Sequence, residues 1–557
     1  MNKHFNLKSL VFIGGHLLFA ILFYFSIVFW KERQAFDAAH YLLEIILRKS
    51  FFIAHFRPIG FVSQILPVIG VWLSVPLKWL MVLYSFGDIL YYYLLFLLLI
   101  FYFKNGRATV WFFIIYLSTL AYSFYCPVTE LLQGLVLLPV VYCLMEKEGV
   151  GSQIWIYVLS LLIVFSHPLL FIPLGALLTF CFFRRRPEKK QWPLALWFIV
   201  LLAVKFLTLD VYDSQKVFYP VVYNDYGNMN NITDGGYLLS FFKMLFINYP
   251  VLFFLFGWSW FLIISNKAIR ALLIYVGIVF GFLLIIICTH HFEHISNYSE
   301  RMLLPLPCLV SLPIVFFEMN ISRLKIQQLS FVLLVMFFVF RLTQIYQVGH
   351  EFVLRNEQMK RIIDVSRLMG AQKVVADENL LEQLPFANTG WCYSIESMFL
   401  SAIDGPEKVV SIAMQHEHMD RIKQQGKEVS NGQWIKWTEF ILPDDSLPAN
   451  YFSFKQQNYV PLLNDSTSNK LLKNISLSIK NASKRFFHNE AFIDVSFGIK
   501  DSLMLLPNNA AVRIRYNEKE TFFYLYGPVS NTVPQRIQLP GPTVDLNAIQ
   551  LDLTTTD

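Results

Sequence analysis

Long apolar runs broken by short basic stretches constrain this chain more than any other feature of its sequence. A helix that crosses a bilayer core needs about 20 largely apolar residues. Eleven runs approach that requirement, at 8 to 30, 81 to 103, 108 to 124, 131 to 145, 153 to 166, 168 to 183, 191 to 208, 249 to 265, 271 to 288, 301 to 317 and 329 to 346. Composition agrees, since 55% of the 557 residues are apolar and only 15% are charged, where a soluble globular chain carries about 25% charged residues. A disordered, collagen-like or wholly soluble chain is thereby excluded. The expected fold is a polytopic α-helical membrane protein with about 11 transmembrane helices. No small-residue cleavage site follows the first run, so it is read as a retained helix.

Orientation follows from the basic residues, which gather on the cytoplasmic side. Lys104 and Arg107, Arg184 to Arg186 with Lys189 and Lys190, Lys267 and Arg270, and Arg323 and Lys325 all fall on one side if the apolar stretch 58 to 80 does not cross. That stretch is expected to lie flat in the interface, as amphipathic helices broken by Pro67 and Pro76. The N-terminus is then cytoplasmic. Residues 31 to 80, the loops 209 to 248 and 289 to 300, and everything after about 347 are extracytoplasmic. The net charge of +7 reports this orientation and calls for no nucleic-acid partner. Six cysteines, at 126, 143, 181, 288, 308 and 392, form no CxxC pair, so they supply neither a disulfide framework nor a thiolate metal site.

Residues 1 to 346 thus read as a transmembrane domain with an outer loop at 31 to 80. From 347 to 471, helical periodicity at 351 to 369, 391 to 403 and 415 to 425 alternates with short strands at Lys373 to Ala376 and Lys408 to Ile412, the pattern of a small α/β domain. From 472 to 557 the pattern is strand-like, as in AFIDVSFGI, AVRIRY and TFFYLYG. A small β-sandwich-like domain is expected there.

Potential chemistry gathers in the outer segments. On a helix, Asp37, His40 and Glu44 share one face. An acid, an imidazole and a second acid suit a general base with an orienting partner, or a divalent-cation site; the plainer reading is the solvated face of an interfacial amphipathic helix. Glu130 stands at the outer end of a run, where it would meet a sugar hydroxyl or a metal, or simply answer a helix dipole. His167, in the Ser166-His167-Pro168 turn, is either a phosphate contact or an interfacial turn histidine. His290, Glu293 and His294 have an HxxEH spacing, but a twelve-residue loop hardly supplies the helix and further ligand of a zinc protease. Asp210, Asp213 and Lys216 would grip an acceptor or form a solvated charged run.

The order of features resembles the GT-C superfamily of membrane glycosyltransferases, with the layout of protein mannosyltransferases and aminoarabinose transferases. It is carried by one helix, Asp37 early in a large outer loop, the His55-Phe56-Arg57-Pro58 break before an interfacial helix, and Glu300-Arg301 in SNYSERMLLPLP at the mouth of the tenth run. The resemblance implies a GT-C-like fold in the bacterial inner membrane and an inverting transfer of a sugar from a polyprenyl-phosphate-linked donor to an extracytoplasmic glycan, lipid or protein acceptor. It also implies that Asp37 is the catalytic base, that Arg301 meets the donor phosphate, and that His40, Arg57, Glu130, His167 and Glu300 bind substrate. No metal or other cofactor is assigned: a divalent cation is an alternative, but Ala38 follows Asp37 where many members have a second acid, which counts against metal dependence. Two rivals are a transporter or flippase, opposed by Asp88 near a helix start, Lys205 near a helix end and the lack of a repeat, and a non-catalytic scaffold displaying the outer domain.

Overall fold

The computed structural model describes residues 7–147, 149–184, 192–209, 231, 233–290, 297–317, 324–376, 387–438, 440–455 and 458–462, together with the strands between 476 and 555. Its contacts divide the chain into two compact units. The first comprises Met1–Arg33, Arg48–Ser74 and Leu80–Gly349, and the second Gln34–Leu47, Val75–Trp79 and His350–Asp557.

The first unit is helical. Among the described residues of the chain, Val11–Val28, Leu77–Tyr102, Ile269–Thr289, Tyr298–Phe316 and Val332–Arg367 are long and apolar enough to cross a membrane; the pair Gly235–Asn248 and Pro250–Ser265, bent by 91°, would make a sixth. The other apolar helices are shorter, and two of the expected runs are not single helices. The run 108 to 124 stops at Leu117, where α5 (Gly106–Leu117) ends, and the run 131 to 145 divides into α6 (Glu130–Leu135) and α7 (Leu138–Glu146).

Irregular backbone among apolar helices must be hydrogen-bonded by the protein itself, and between 118 and 126 charged side chains do this. The Glu300 carboxylate accepts from the N–H groups of Ala121, Tyr122 and Ser123 at 3.0, 2.9 and 2.7 Å. Arg341 donates to the Ser118 carbonyl at 2.7 Å and to the Asn248 carbonyl at 3.0 Å, so the same guanidinium also serves the helix end at the 91° bend. Arg33, fully buried, donates to the Phe124 and Ser85 carbonyls and pairs with Asp88 at 2.8 Å. Asp88 lies halfway along α4 (Leu77–Leu97), not near its start, because the helix begins four residues before the apolar run suggests.

Pro76 precedes α4, but Pro67 does not break α3 (Phe61–Trp72). A proline removes one helical N–H and leaves the carbonyl four residues back unmet. Here that carbonyl belongs to Ser63, and it faces Gly87 so closely that a Cβ there would stand 3.0 Å from it. At Gly349 the constraint is tighter, since a Cβ would meet the Tyr125 hydroxyl at 2.3 Å and the Phe29 ring at 2.8 Å.

The second unit contains a three-stranded parallel sheet of order β2-β1-β5, with β1 Lys373–Ala376, β2 Ser411–Met414 and β5 Val460–Pro461. β2 starts three residues later than the sequence suggests, because Pro406–Lys408 forms a 3-10 turn. Helix Tyr393–Ala402 is sewn to this edge by serines, with Ser397 Oγ accepting from Ile412 N–H at 2.9 Å and Ser401 Oγ from Val410 N–H at 2.7 Å. Met359, Ile363, Val374, Tyr393 and Ile412 close the core. Beyond 475 the described strands pair antiparallel in two three-stranded sheets, Gln535–Leu539, Glu490–Gly498 and Ser476–Arg485 in one, and Lys519–Tyr524, Ala510–Tyr516 and Gln550–Thr555 in the other, and in a two-stranded pair of Met504–Leu505 with Pro528–Val529.

His418 makes this unit acid-sensitive. Its Nδ1 accepts from Met414 N–H at 3.0 Å and its Nε2 lies 3.1 Å from the Trp391 carbonyl, so a second proton has no place. Burial pushes its pKa from 6.5 down to about 4. The unfolded chain therefore takes up this proton first as pH falls below about 6.5, and stability declines until about pH 4. Between pH 7 and pH 5 the loss is about 2 kcal/mol. Thermal melts across that range should show it, with a flatter slope in His418→Asn.

Candidate functional site

In the first unit, Arg57 is set by a strained corner. The chain before it is pinned by Gln64, whose side-chain oxygen accepts from Phe52 N–H and whose amide donates to the Phe52 carbonyl, both at 2.8 Å. His55 and Phe56 then adopt left-handed φ values of 52° and 54°. Such conformations cost about 1–3 kcal/mol each in residues with a Cβ and cluster at functional sites. Pro58 opens the following 3-10 turn, Pro58–Gly60. Arg57 ends 8% exposed, with its guanidinium 3.6 Å from Glu130, the first residue of α6.

The His167 turn joins α8 (Val150–Ser166) to the 3-10 turn Pro168–Leu170. It is packed against α6 at Gly134, where a Cβ would stand 2.4 Å from the Leu170 side chain. The imidazole is partly buried, and Nδ1 accepts from Leu169 N–H at 3.2 Å. Burial holds its pKa well below the usual 6.5, and the positive charges of Arg57, Lys205 and Arg301 press it further the same way. A neutral ring whose Nδ1 is an acceptor carries its proton on Nε2. His167 is thus an uncharged N–H donor placed among cations.

Arg301 belongs to the helix Asn297–Leu303 and donates to Cys126 Sγ. Lys205, in the last turn of the helix Trp192–Leu207, is 4% exposed, with Nζ 5.6 Å from the centre of the Phe165 ring. By sequence Lys205 is a helix-end residue without an assigned role. Its signal was a lone ionisable group in an apolar helix, which by default marks function. Three separate segments therefore place the charges of Arg57, Lys205 and Arg301 within electrostatic reach of His167, with Glu130 beside Arg57. Guanidinium forks and an N–H donor in a water-poor place are what a phosphate group requires.

Glu300 does not join them. Its carboxylate is spent on three backbone N–H groups and is fully buried, so the expectation that it binds substrate is replaced by a structural role.

Asp37 and His40 fall in the second unit. Asp37 opens α2 (Asp37–Arg48) and is partly buried. Its backbone is fixed by Phe36, whose φ is 56° and whose N–H donates to Glu396 at 2.7 Å; Glu396 in turn is ion-paired with Arg355. The His40 ring stands edge-on to Trp437, with centroids 4.3 Å apart. Glu44 is 3% exposed and ion-paired with Lys436. The solvated amphipathic face expected for α2 is therefore corrected, since Ala38, Ala39, Leu42, Leu43, Ile45 and Ile46 are buried too. With Glu44 held by a lysine, the acid-imidazole-acid face does not form a cation site, and no group of three metal-ligating side chains occurs among the described residues. His290 contacts Tyr298 at 2.9 Å. Glu293, His294, Asp210, Asp213 and Lys216 lie outside the described residues.

The described residues make a largely helical protein with five or six helices suited to a membrane, in which the charges of Arg57, Lys205 and Arg301 act on His167. No protein-family model, no curated protein and no solved structure matches the chain.

Proposed function

We propose that the protein is an integral membrane glycosyltransferase that moves a sugar from a polyprenyl-phosphate-linked donor to an extracytoplasmic glycan, lipid or protein. The observation that carries this reading is that the charges of Arg57, Lys205 and Arg301, from three separate segments, all act on the partly buried imidazole of His167. The donor phosphate meets these residues, and the acceptor hydroxyl gives its proton to Asp37. The acceptor oxygen then bonds to the anomeric carbon as the bond to phosphate breaks, its electron pair leaving on the phosphate oxygen with inversion. Cations at the phosphate stabilise the leaving charge, so the protein chiefly orients and neutralises. The finer GT-C-like topology belongs to the same proposal: eleven crossings of a bacterial inner membrane, a cytoplasmic N-terminus and an extracytoplasmic tail.

The test is incubation of purified protein with a panel of polyprenyl-phosphate sugars and acceptors. Release of polyprenyl phosphate that depends on acceptor is expected. A second reading, transport of a lipid-linked component, is favoured by the Arg33–Asp88 pair, whose aspartate lies within an apolar helix, and by the 91° bend. It predicts movement of intact donor across vesicles with no cleavage.

A further inference from the structure

At a different place in the first unit, a cavity of about 450 Å³ opens beside the turn between helices Pro250–Ser265 and Ile269–Thr289. Its size is within the range of small-ligand sites. Lys267 and Arg270 supply its charge, and Ile274, Phe180, Phe316 and Phe317 its apolar wall. Phe180 and Phe316 pack on one another with centroids 5.7 Å apart. Both cations are exposed, and both aromatic rings of that pair are buried.

Lys267 occupies an unusual position. Lys267 N–H bonds to the Ile264 carbonyl at 2.8 Å and Ala268 N–H to the Ile263 carbonyl at 3.1 Å, the paired bonds of a helix end whose left-handed residue is usually glycine. Lysine stands there at a φ of 54°, where a side chain is a cost and not a convenience. Ala268, at the start of the next helix, supplies no side-chain cap, so the first-turn N–H groups add partial positive charge along the cavity edge.

We infer that this cavity binds the phosphodiester headgroup of an anionic phospholipid, with Lys267 and Arg270 on the phosphate and an acyl chain along the aromatic wall. A basic pocket at the ends of apolar helices, where headgroups lie, has this chemistry. It is independent of the sugar-transfer reading.

The test uses the full-length protein in detergent, titrated with phosphatidylglycerol or phosphatidylcholine of matched chains and read by native mass spectrometry. Wild type is expected to retain phosphatidylglycerol more tightly, and each cation removed should weaken it by about fivefold. Lys267→Gly is informative because glycine suits the turn, so binding falls without loss of fold. The double variant K267G/R270Q should lose about 25-fold, while the charge-matched K104G/R107Q, with Lys104 also at a positive φ of 51°, should bind like wild type. Equal losses in the two double variants, or no lipid preference in wild type, would overturn the site. Displacement of the lipid by millimolar inorganic phosphate would overturn the lipid assignment in favour of a soluble anion.

Discussion

Asp37→Asn is expected to lower turnover by more than roughly a hundredfold, the low end of a general base's contribution, with protein yield and melting temperature nearly unchanged. Asparagine keeps the size and hydrogen-bonding capacity of the side chain and gives up the carboxylate's charge at the start of α2, worth about 0.3–1 kcal/mol there. Glu44→Gln should do the opposite. It leaves Lys436 buried without its counter-charge, a loss of roughly 3–5 kcal/mol, so the protein should melt earlier whatever its activity. Kinetics and thermal melts of the two purified variants decide between these assignments. Near-wild-type turnover in Asp37→Asn would remove the base.

Arg301→Lys is expected to weaken donor use by roughly tenfold to a hundredfold, the range of one or two hydrogen bonds to a charged group. Charge is kept, but a lysine is a point donor and does not reproduce the planar fork. Its ammonium would also have to replace the contact with Cys126 Sγ. Donor-concentration curves for wild type, Arg301→Lys and Arg301→Ala at matched protein levels measure this. If Lys serves as well as Arg, the residue acts as a snorkelling interfacial cation and not as a phosphate ligand.

Features resting on local pattern were legible in the sequence. Strand β1 lies at the bounds its sequence suggests, because the β-branched pair Val374 and Val375 stands between turn signals. The residues of the basic cluster were mostly named as well, since a histidine in a turn or an arginine at a helix mouth is conspicuous among apolar neighbours. Features decided by distant partners were not legible. Glu44 looked solvated because Lys436, 392 residues away, is invisible to periodicity. Glu300 looked available because nothing in its own segment reveals that residues 118 to 123 leave the helix and need its oxygens. Asp88 seemed peripheral because hydropathy marks where a run becomes apolar, and α4 begins earlier.

The Arg33–Asp88 pair also bears on how the chain is assembled. A lone aspartate at the centre of a membrane helix raises the cost of insertion by about 2.5–3.5 kcal/mol. Arg33 follows the helix Leu7–Val28 and precedes α4 in synthesis, so its guanidinium is already present when the Asp88 segment emerges. Entry of that segment is then easiest as a hairpin with the first helix beside it, the two charges crossing as one neutral dipole.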